Sequence, residues 1–396
     1  MDGASWPATA AENVPVKHGA AGRLLVTGHF VFAGRVGGAE HMFYNLVRGL
    51  GEAGTPPGVL CASEHNLDPG FVAELLPGQL VACGGNGSRF VGEQRAALRP
   101  GLRADAVLFP NYFVPPLVPR RLGRVATVIH DVQFRHFPQY FAGRKRAWLT
   151  ASQALAMRRA DTVVAISGFV RDDLLSIYGS RFERKLATIP NPISWDRFGP
   201  PAGTEPGEQR PLERPYILSV AAQYAHKNLP VLVRAFAEVA RRVPDLMLVF
   251  CGQPYGGLRG VAGSRDGLEK LVAELGLEDR VHQTGYVDDR TLGRWYRHAA
   301  MFAFPSVFEG FGMPPVEALG FGLPTLTTTR TALPETTMGL AVGVADPLSA
   351  AEWADRLFQV WRDPAAFRPS PGDVARLRTR YSPAVVGRQY ADACLP

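Results

Sequence analysis

An apolar run, a glycine-containing loop and a helix opened by two prolines follow one another between residues 301 and 324. Met301–Phe304 is followed by a proline and a serine, as expected of a strand that is buried on both faces. Pro314 and Pro315 predict the start of a helix, because a first helical turn does not need the N–H group that proline lacks. The helix should end near Gly320 or Gly322. A buried strand that leads through a loop into a helix is typical of a parallel α/β sheet.

The loop and the helix start carry two glutamates, Glu309 and Glu317, with seven residues between them. We place Glu309 in the loop and Glu317 in the first turn of the helix, so that both face one crevice. Carboxylate oxygens each accept two hydrogen bonds, which suits sugar hydroxyls. Gly310 and Gly312 let the backbone approach a ligand, and a helix start favours an anionic or hydroxyl-rich one. The alternative is that Glu317 complements the helix dipole and Glu309 is a solvated loop residue.

The same strand, loop and helix pattern recurs along the 396 residues, a length that suits two domains. Residues 1–20 are small and polar, and they predict a disordered leader. We expect a first α/β domain over residues 21–198 and a second over residues 215–380. Proline, glycine and charge dominate residues 199–214, which predicts a linker. The last segment, residues 381–396, is predicted to be a terminal helix.

The composition excludes several classes of protein. Hydrophobic residues make up 46% of the chain and charged residues 20%, as in a globular protein. No run of about eighteen apolar residues and no signal peptide is visible, and four scattered cysteines indicate reduced thiols in a cytoplasm. The net charge of +7 favours anionic partners or reflects an arginine-rich proteome. Nucleic-acid binding is not expected, because the basic residues do not interleave with aromatic ones.

Two further side chains stand where a parallel sheet binds its ligands. His130 follows a predicted strand over residues 125–129, and the carboxyl ends of parallel strands face the ligand crevice. Lys227 precedes a predicted helix over residues 229–242, where an ammonium group is well placed for a phosphate. The competing interpretations are a histidine that caps its strand and a lysine at the surface.

The segment from Phe302 to Ala318 reads F-x-F-P-S and then E-G-F-G-x-P-x-x-E-A. It resembles the signature of the retaining glycosyltransferases of the GT4 family, the group 1 glycosyltransferases. V-A-A-Q-Y-A-H-K-N-L at residues 220–229 is similar to a second family segment and favours a mannosyltransferase-like subgroup. The resemblance covers about residues 23–392. It implies the GT-B fold, in which two Rossmann-like domains flank a deep cleft and the last helix crosses back to the first domain.

The resemblance also implies roles for individual residues. The donor is a sugar joined to a nucleoside diphosphate, and Glu309 and His130 would contact its sugar while Lys227 neutralises its diphosphate. Glu317 would bind the ribose hydroxyls. Backbone groups would complete the donor site, those of Gly37, Gly38, Gly310, Phe311, Gly312 and Met313 at the diphosphate and that of Val287 at the base. No D-x-D pair or histidine cluster is present, so neither a catalytic metal nor a cofactor is expected.

Two departures from the family pattern lie beside Lys227. Ala221 replaces a usual glycine, and Ala222 stands where many members carry an arginine that contacts the diphosphate. His226 is a candidate substitute for that charge. The resemblance implies a retaining hexosyltransferase, with GDP-mannose favoured as donor over UDP-sugars and a glycan, a lipid-linked glycan or a small molecule as acceptor.

Several alternatives remain open at this level. Within enzymes they are a natural-product glycosyltransferase, an epimerase, a phosphorylase or a hydrolase, since one fold hosts many activities. Outside enzymes the alternative is a degenerate protein that binds a nucleotide sugar. A predicted helix over residues 143–160 has basic ends, which indicates either a solvated basic face or contact with the inner face of a membrane, as in family members with lipid-linked acceptors.

Overall fold

The structure is a computed structural model that describes residues 24–31, 37–62, 67–75, 79–82, 89–200, 210–253 and 265–396. The predicted leader, part of the first glycine loop, most of the predicted linker and Cys83 lie outside the described residues. The described strands form two parallel sheets, one of seven strands and one of six. This confirms the expected α/β class with two Rossmann-like units.

The first sheet is built from the chain between residues 24 and 188. Its strand order is β3-β2-β1-β4-β5-β6-β7, and every pairing is parallel. The strands are β1 Leu24–Thr27, β2 Gly58–Cys61, β3 Leu80–Ala82, β4 Ala106–Phe109, β5 Arg124–Ile129, β6 Thr162–Ala165 and β7 Leu186–Thr188. The helices are α1 Gly38–Glu52, α2 Pro69–Glu74, α3 Arg89–Leu98, α4 Gln133–His136, α5 Gly143–Arg159 and α6 Gly168–Tyr178.

The second sheet repeats this plan with the strand order β10-β9-β8-β11-β12-β13. Its strands are β8 Tyr216–Val220, β9 Met247–Cys251, β10 Val281–Gly285, β11 Met301–Phe304, β12 Thr325–Thr328 and β13 Val342–Val344. The remaining helices are α7 Leu229–Ala240, α8 Arg265–Glu274, α9 Asp289–His298, α10 Met313–Gly320, α11 Leu333–Thr336, α12 Ala350–Arg362, α13 Pro371–Arg380 and α14 Pro383–Cys394. The strand order reverses once in each sheet, beside β1 in the first and beside β8 in the second. Ligand crevices open at such points.

The last helix crosses back to the first domain, as the GT-B fold requires. Helix α14 packs against α1 and lies near β4 and β5 of the first sheet. Two glycines allow this contact, because a Cβ atom on Gly387 would lie 2.1 Å from the backbone of Gly49. Val386 and Tyr390 of α14 are fully buried in the core of the first domain.

Some local predictions need correction. Glu317 does not lie in the first turn of its helix, since α10 begins at Met313 and Glu317 is its fifth residue. Helices α2, α3, α4, α11 and α13 were not predicted. The predicted domain boundaries stay predictions.

No helix of the described residues is long and apolar enough to cross a membrane. The basic residues at the start of α5, Arg144, Lys145 and Arg146, are exposed, and the side chain of Trp148 is partly exposed beside them. This pattern fits a solvated basic face, and membrane contact stays a prediction.

Candidate active site

Glu309 and Lys227 lie in direct contact, although 82 residues separate them in the sequence. Lys227 ends the short 3-10 helix Ala225–Lys227 before α7, and Glu309 lies in the loop after β11. The Lys227 ammonium donates to the Glu309 carboxylate over 2.6 Å, and the two side chains are only 17% and 11% exposed. The N–H of Glu309 donates to the hydroxyl of Thr331, which fixes the loop. The two residues follow β8 and β11, which are neighbours in the sheet.

The loop that carries Glu309 touches the first domain at His130. A Cβ atom on Gly310 would lie 2.0 Å from the carbonyl oxygen of His130, so only glycine fits there. The hydroxyl of Ser167 also donates to the carbonyl of Gly310 over 2.7 Å. The structure therefore brings His130, Glu309 and Lys227 to one place between the two sheets.

The imidazole of His130 is held as a neutral group. Its Nε2 lies 3.0 Å from the carbonyl oxygen of Pro110, and a carbonyl can only accept, so Nε2 carries the proton. Burial lowers the pKa of His130 despite this hydrogen bond. Burial likewise raises the pKa of the neighbouring Asp131 carboxyl. The site thus combines a neutral hydrogen-bonding histidine with one ion pair.

The predicted anion-binding amides are available. The N–H groups of Gly310, Phe311, Gly312 and Met313 have no acceptor among the described residues. Gly312 adopts a left-handed conformation with φ of 83°, which turns the loop into helix α10. The next two residues of α10 are prolines and have no N–H group, so any anion at this helix start must bind to the loop amides.

The contacts of Glu317 do not match its expected role of binding ribose hydroxyls, because both of its carboxylate oxygens already have partners. Arg197 donates to one oxygen over 2.5 Å, and the hydroxyl of Tyr296 donates to the other over 2.9 Å. The Glu317 side chain is only 3% exposed. Contact with ribose hydroxyls would require this pairing to change.

Arg197 connects Glu317 to the first domain. Its guanidinium also donates to Asp289 over 2.8 Å and lies 2.9 Å from the ring of His41 on helix α1. Burial and the nearby Arg197 charge lower the pKa of His41 to about 3, so this histidine is neutral. The sequence prediction missed Arg197, Tyr296, Asp289 and His41, and no local pattern in the sequence marks them, because their partners are distant in the chain.

The other predicted donor residues surround these two clusters. Gly37 precedes α1 and its N–H donates to Glu40, and a Cβ atom on Gly38 would lie 4.0 Å from the sulfur of Met313. The starts of α1 and α10 therefore face each other. Val287 stands in the turn between β10 and α9, two residues before Asp289.

His226 does not replace the charge of the arginine for which Ala222 stands. His226 is adjacent in sequence to Lys227, and burial followed by the Lys227 charge lowers its pKa to about 3. It brings no positive charge near neutral pH, contrary to our expectation. Among the described residues no group of three or more His, Cys, Asp or Glu side chains could hold a metal ion, and metal independence stays a prediction.

Two family models match the chain, one in each half. Residues 36–197 match the family described as Glycosyltransferase Family 4. Residues 204–376 match the family described as Glycosyl transferases group 1. Together the two matches span most of both domains.

Curated relatives match about half of the chain or somewhat more. The O-antigen chain mannosyltransferase B of Escherichia coli is 28% identical over 249 residues, which are 60% of this chain and 60% of that protein. A D-inositol 3-phosphate glycosyltransferase of Xylanimonas cellulosilytica is 30% identical over 210 residues, 50% of this chain and 48% of that protein. The match therefore spans about half to three fifths of these relatives.

Solved structures support the fold over nearly the whole chain. The sucrose-phosphate synthase of Thermosynechococcus elongatus superposes with a TM-score of 0.72 at 17% identity, covering 94% of this chain and 98% of that one. Anabaena Alr3699/HepE, in complex with UDP and glucose, gives a TM-score of 0.69 at 17% identity and covers 94% and 99%. At this identity the similarity establishes the shared architecture alone.

Proposed function

Because the chain belongs to the group 1 glycosyltransferases of family 4, we propose that it transfers a hexosyl unit from a nucleoside-diphosphate sugar to an acceptor hydroxyl. We propose that the reaction retains the anomeric configuration and needs no catalytic metal, and we favour a mannosyl donor. Cell-surface polysaccharide or glycoconjugate synthesis is the setting that we favour, and a small natural product is the alternative acceptor.

The contact between Lys227 and Glu309 is the observation that carries this proposal. A largely buried ion pair, 2.6 Å long, lies where the second domain meets His130 of the first. Neither partner is needed to satisfy the backbone of its own loop. A donor diphosphate offers Lys227 a partner of higher charge, which would leave the Glu309 carboxylate to accept hydroxyl protons of the donor sugar.

The leaving group of such a reaction departs with negative charge on its phosphate. We assign the stabilisation of that charge to Lys227 and to the unpaired amides of residues 310–313. Glu309 and the neutral His130 would hold the sugar in its reacting geometry. A front-face attack by the acceptor hydroxyl would then retain the anomeric configuration, which NMR of the product can establish.

Two nucleotides, GDP and UDP, are candidates for the nucleotide of the donor. The mannosyltransferase relative and the H-K-N-L segment favour GDP-mannose, whereas Alr3699/HepE was solved with UDP. A melting screen against GDP, UDP, ADP and dTDP and their sugars separates them. A ligand at a hundred times its Kd adds roughly 2.7 kcal/mol to the stability of the native state. Stabilisation by one nucleotide class would identify the donor.

Replacing Glu309 by glutamine tests the catalytic assignment. Glu309→Gln should lower the turnover number at least about a hundredfold, because the carboxylate that orients the sugar is lost. The melting temperature should stay close to that of the wild type, since the amide oxygen of glutamine can still accept a hydrogen bond from the Lys227 ammonium. Glu274→Gln is the control, because Glu274 forms an exposed pair with Lys270 at 3.7 Å. Undiminished turnover in Glu309→Gln would refute the assignment.

One observation favours a second candidate, a protein that binds nucleotide sugars without transferring them. Ala222 supplies no charge, and Glu317 is fully engaged by Arg197 and Tyr296. This candidate predicts that no nucleotide sugar is consumed in the presence of acceptors. Consumption that depends on Glu309 would exclude it.

A further inference from the structure

Two polar residues occupy equivalent positions after two neighbouring strands, at the carboxyl edge of the first sheet. His29 follows β1 by two residues, and Asn111 follows β4 by two residues. The strands are parallel neighbours with Val26 opposite Leu108, so the two residues occupy matching positions beyond the strand ends. Ligands of open parallel sheets bind at this edge.

Both side chains are buried and incompletely satisfied. His29 is 4% exposed and Asn111 is 5% exposed. Neither ring nitrogen of His29 has a hydrogen-bond partner within the part of the chain that the structure describes, and the same holds for the Asn111 amide nitrogen. The amide oxygen of Asn111 is used, since it accepts the N–H of Phe113. Buried polar atoms without partners are costly and rare in native proteins, so each calls for a partner.

These two residues border the cleft that contains Glu309. His130 follows the next strand of the sheet, β5, and its Nε2 binds the carbonyl of Pro110, the residue before Asn111. The carbonyl of His130 in turn touches Gly310, the residue after Glu309. A substrate that lies on the first-domain side of Glu309 would therefore meet the edge formed by His130, Asn111 and His29.

Helix α3 closes the other side of this edge. A Cβ atom on Gly92 would lie 3.1 Å from the Cδ2 atom of His29, so the helix backbone passes directly over the imidazole. The ring of Phe90, two residues earlier, packs edge-on against Phe113 at 4.7 Å. Helix α3 therefore borders the ring of His29 and the segment that carries Asn111.

The charge of this edge does not suit a phosphate. Burial lowers the pKa of His29 to about 4, so its ring is neutral, with one donor and one acceptor. A neutral imidazole and a neutral amide offer an anionic group no counter-charge, whereas hydroxyl groups can both donate to and accept from the imidazole and accept from the amide.

We propose that His29 and Asn111 form the acceptor subsite and hydrogen-bond the hydroxyl groups of a neutral polyhydroxylated acceptor, a sugar residue or a cyclic polyol without a phosphate. This inference rests on the proposed function and names the acceptor class of the same site. His29 supplies one donor and one acceptor, and Asn111 supplies the second donor.

The test measures binding of small probes by the full-length protein. Methyl α-D-mannopyranoside, methyl β-D-galactopyranoside and myo-inositol are the neutral probes, and myo-inositol 1-phosphate is the charged counterpart. Saturation-transfer NMR is recorded with and without the nucleotide that gives the largest melting shift. At least one neutral probe should bind, and inositol 1-phosphate should bind no better than inositol.

Three variants connect the binding to His29. His29→Phe keeps the ring shape and removes both nitrogens, so the probe Kd should rise about five- to tenfold, the effect of one or two lost hydrogen bonds. Its melting temperature should not fall, because an unsatisfied polar group is replaced by an apolar one. His29→Gln should recover part of the affinity, since the amide again donates and accepts. His282→Phe, at an exposed position on β10, is the matched control.

The outcomes separate this inference from the proposed function. An unchanged probe Kd in His29→Phe, tighter binding of inositol 1-phosphate than of inositol, or no binding of any neutral probe would overturn the acceptor assignment. The nucleotide Kd should stay within about twofold of the wild type in all variants. Failure of the wild type to bind any nucleotide would instead count against the proposed transferase.

Discussion

At the scale of single residues, Arg197 is the side chain that connects the largest number of candidate site residues. It is 8% exposed and bridges Glu317 and Asp289, while its guanidinium stacks on the ring of Phe198 at 4.2 Å. Its contacts with Glu317 and Asp289 join the two predicted domains, whereas its contact with His41 lies within the first. A guanidinium can serve two carboxylates at once because its donors form a rigid, planar fork.

Removing Arg197 should therefore be costly. Arg197→Met leaves the Glu317 carboxylate buried beside Tyr296 without a counter-charge, so the free energy of unfolding should fall by about 3–5 kcal/mol. Urea denaturation of the purified variant measures this loss.

The control is Arg171→Met. Arg171 pairs with Glu183 at 2.7 Å on the surface, and loss of that pair should change stability by less than about 1 kcal/mol. Equal losses for the two variants would show that burial of the Arg197 pair does not matter.

At the scale of elements, helices of one domain are completed by residues of the other. Glu335, in the L-P-E segment of the second domain, accepts the N–H groups of Gly168 and Phe169 at the start of α6. Ser167 caps the same helix at Val170 and donates to the Gly310 carbonyl. A carboxylate at a helix start is favoured by the helix dipole, so these contacts stabilise both the helix and the domain contact.

The crossing of α1 and α14 gives a prediction for a helix pair. Gly387→Ala should destabilise the protein by about 1–3 kcal/mol, because the new methyl group would overlap the backbone of α1 at Gly49. This loss of stability is opposite in sign to the usual effect, because alanine in place of glycine normally stabilises a helix by up to about 1 kcal/mol.

Gly51→Ala, in helix α1, tests that contrast. A Cβ atom on Gly51 would have no neighbour within 4 Å, so this variant should be as stable as the wild type or more stable. Thermal melts of the two variants measure the difference. A stabilised Gly387→Ala would mean that α14 does not approach α1 this closely.

At the scale of the whole molecule, the two domains share apolar contacts. Phe311, Met313, Val316 and Leu319 belong to the second domain in sequence, yet they lie in the buried cluster of the first domain. The segment with the family signature therefore serves both as a binding loop and as part of the domain contact. Cys251 and Cys394 are buried thiols, and burial raises the pKa of each to about 12, which makes them unreactive.

Buried neutral histidines predict a dependence of stability on pH. Burial lowers the pKa of His29 to about 4 and the pKa values of His41 and His226 to about 3. Below pH about 6.5 the unfolded chain binds protons that the folded protein refuses. The free energy of unfolding should therefore fall as the pH is lowered below about 6.5, by about 1.4 kcal/mol per pH unit for each histidine.

Urea midpoints measured between pH 7.5 and pH 5 give this slope. In His29→Phe the slope should be shallower by up to about 1.4 kcal/mol per pH unit, because one protonation step is removed. A stability that is constant from pH 7.5 to pH 5 would contradict the neutral state of the three rings.

The sequence by itself determined the features that depend on neighbouring residues. The apolar run of β11, the prolines of α10 and the alternation of strands and helices fixed the α/β class and the two sheets, because strand and helix formation respond to local periodicity. The same local patterns located His130 at a strand end, Glu309 in the loop after β11 and Lys227 just before a helix.

Only the tertiary structure decided which of these residues meet and what else they contact. Glu317 pairs with Arg197 from 120 positions away, and Gly310 meets His130 across the domain contact. No periodicity encodes such pairs, because they follow from the packing of two separate sheets and from the return of α14 to the first. Desolvation at those contacts, and not residue type, sets the charge of His41 and His226 and leaves His29 in need of a partner.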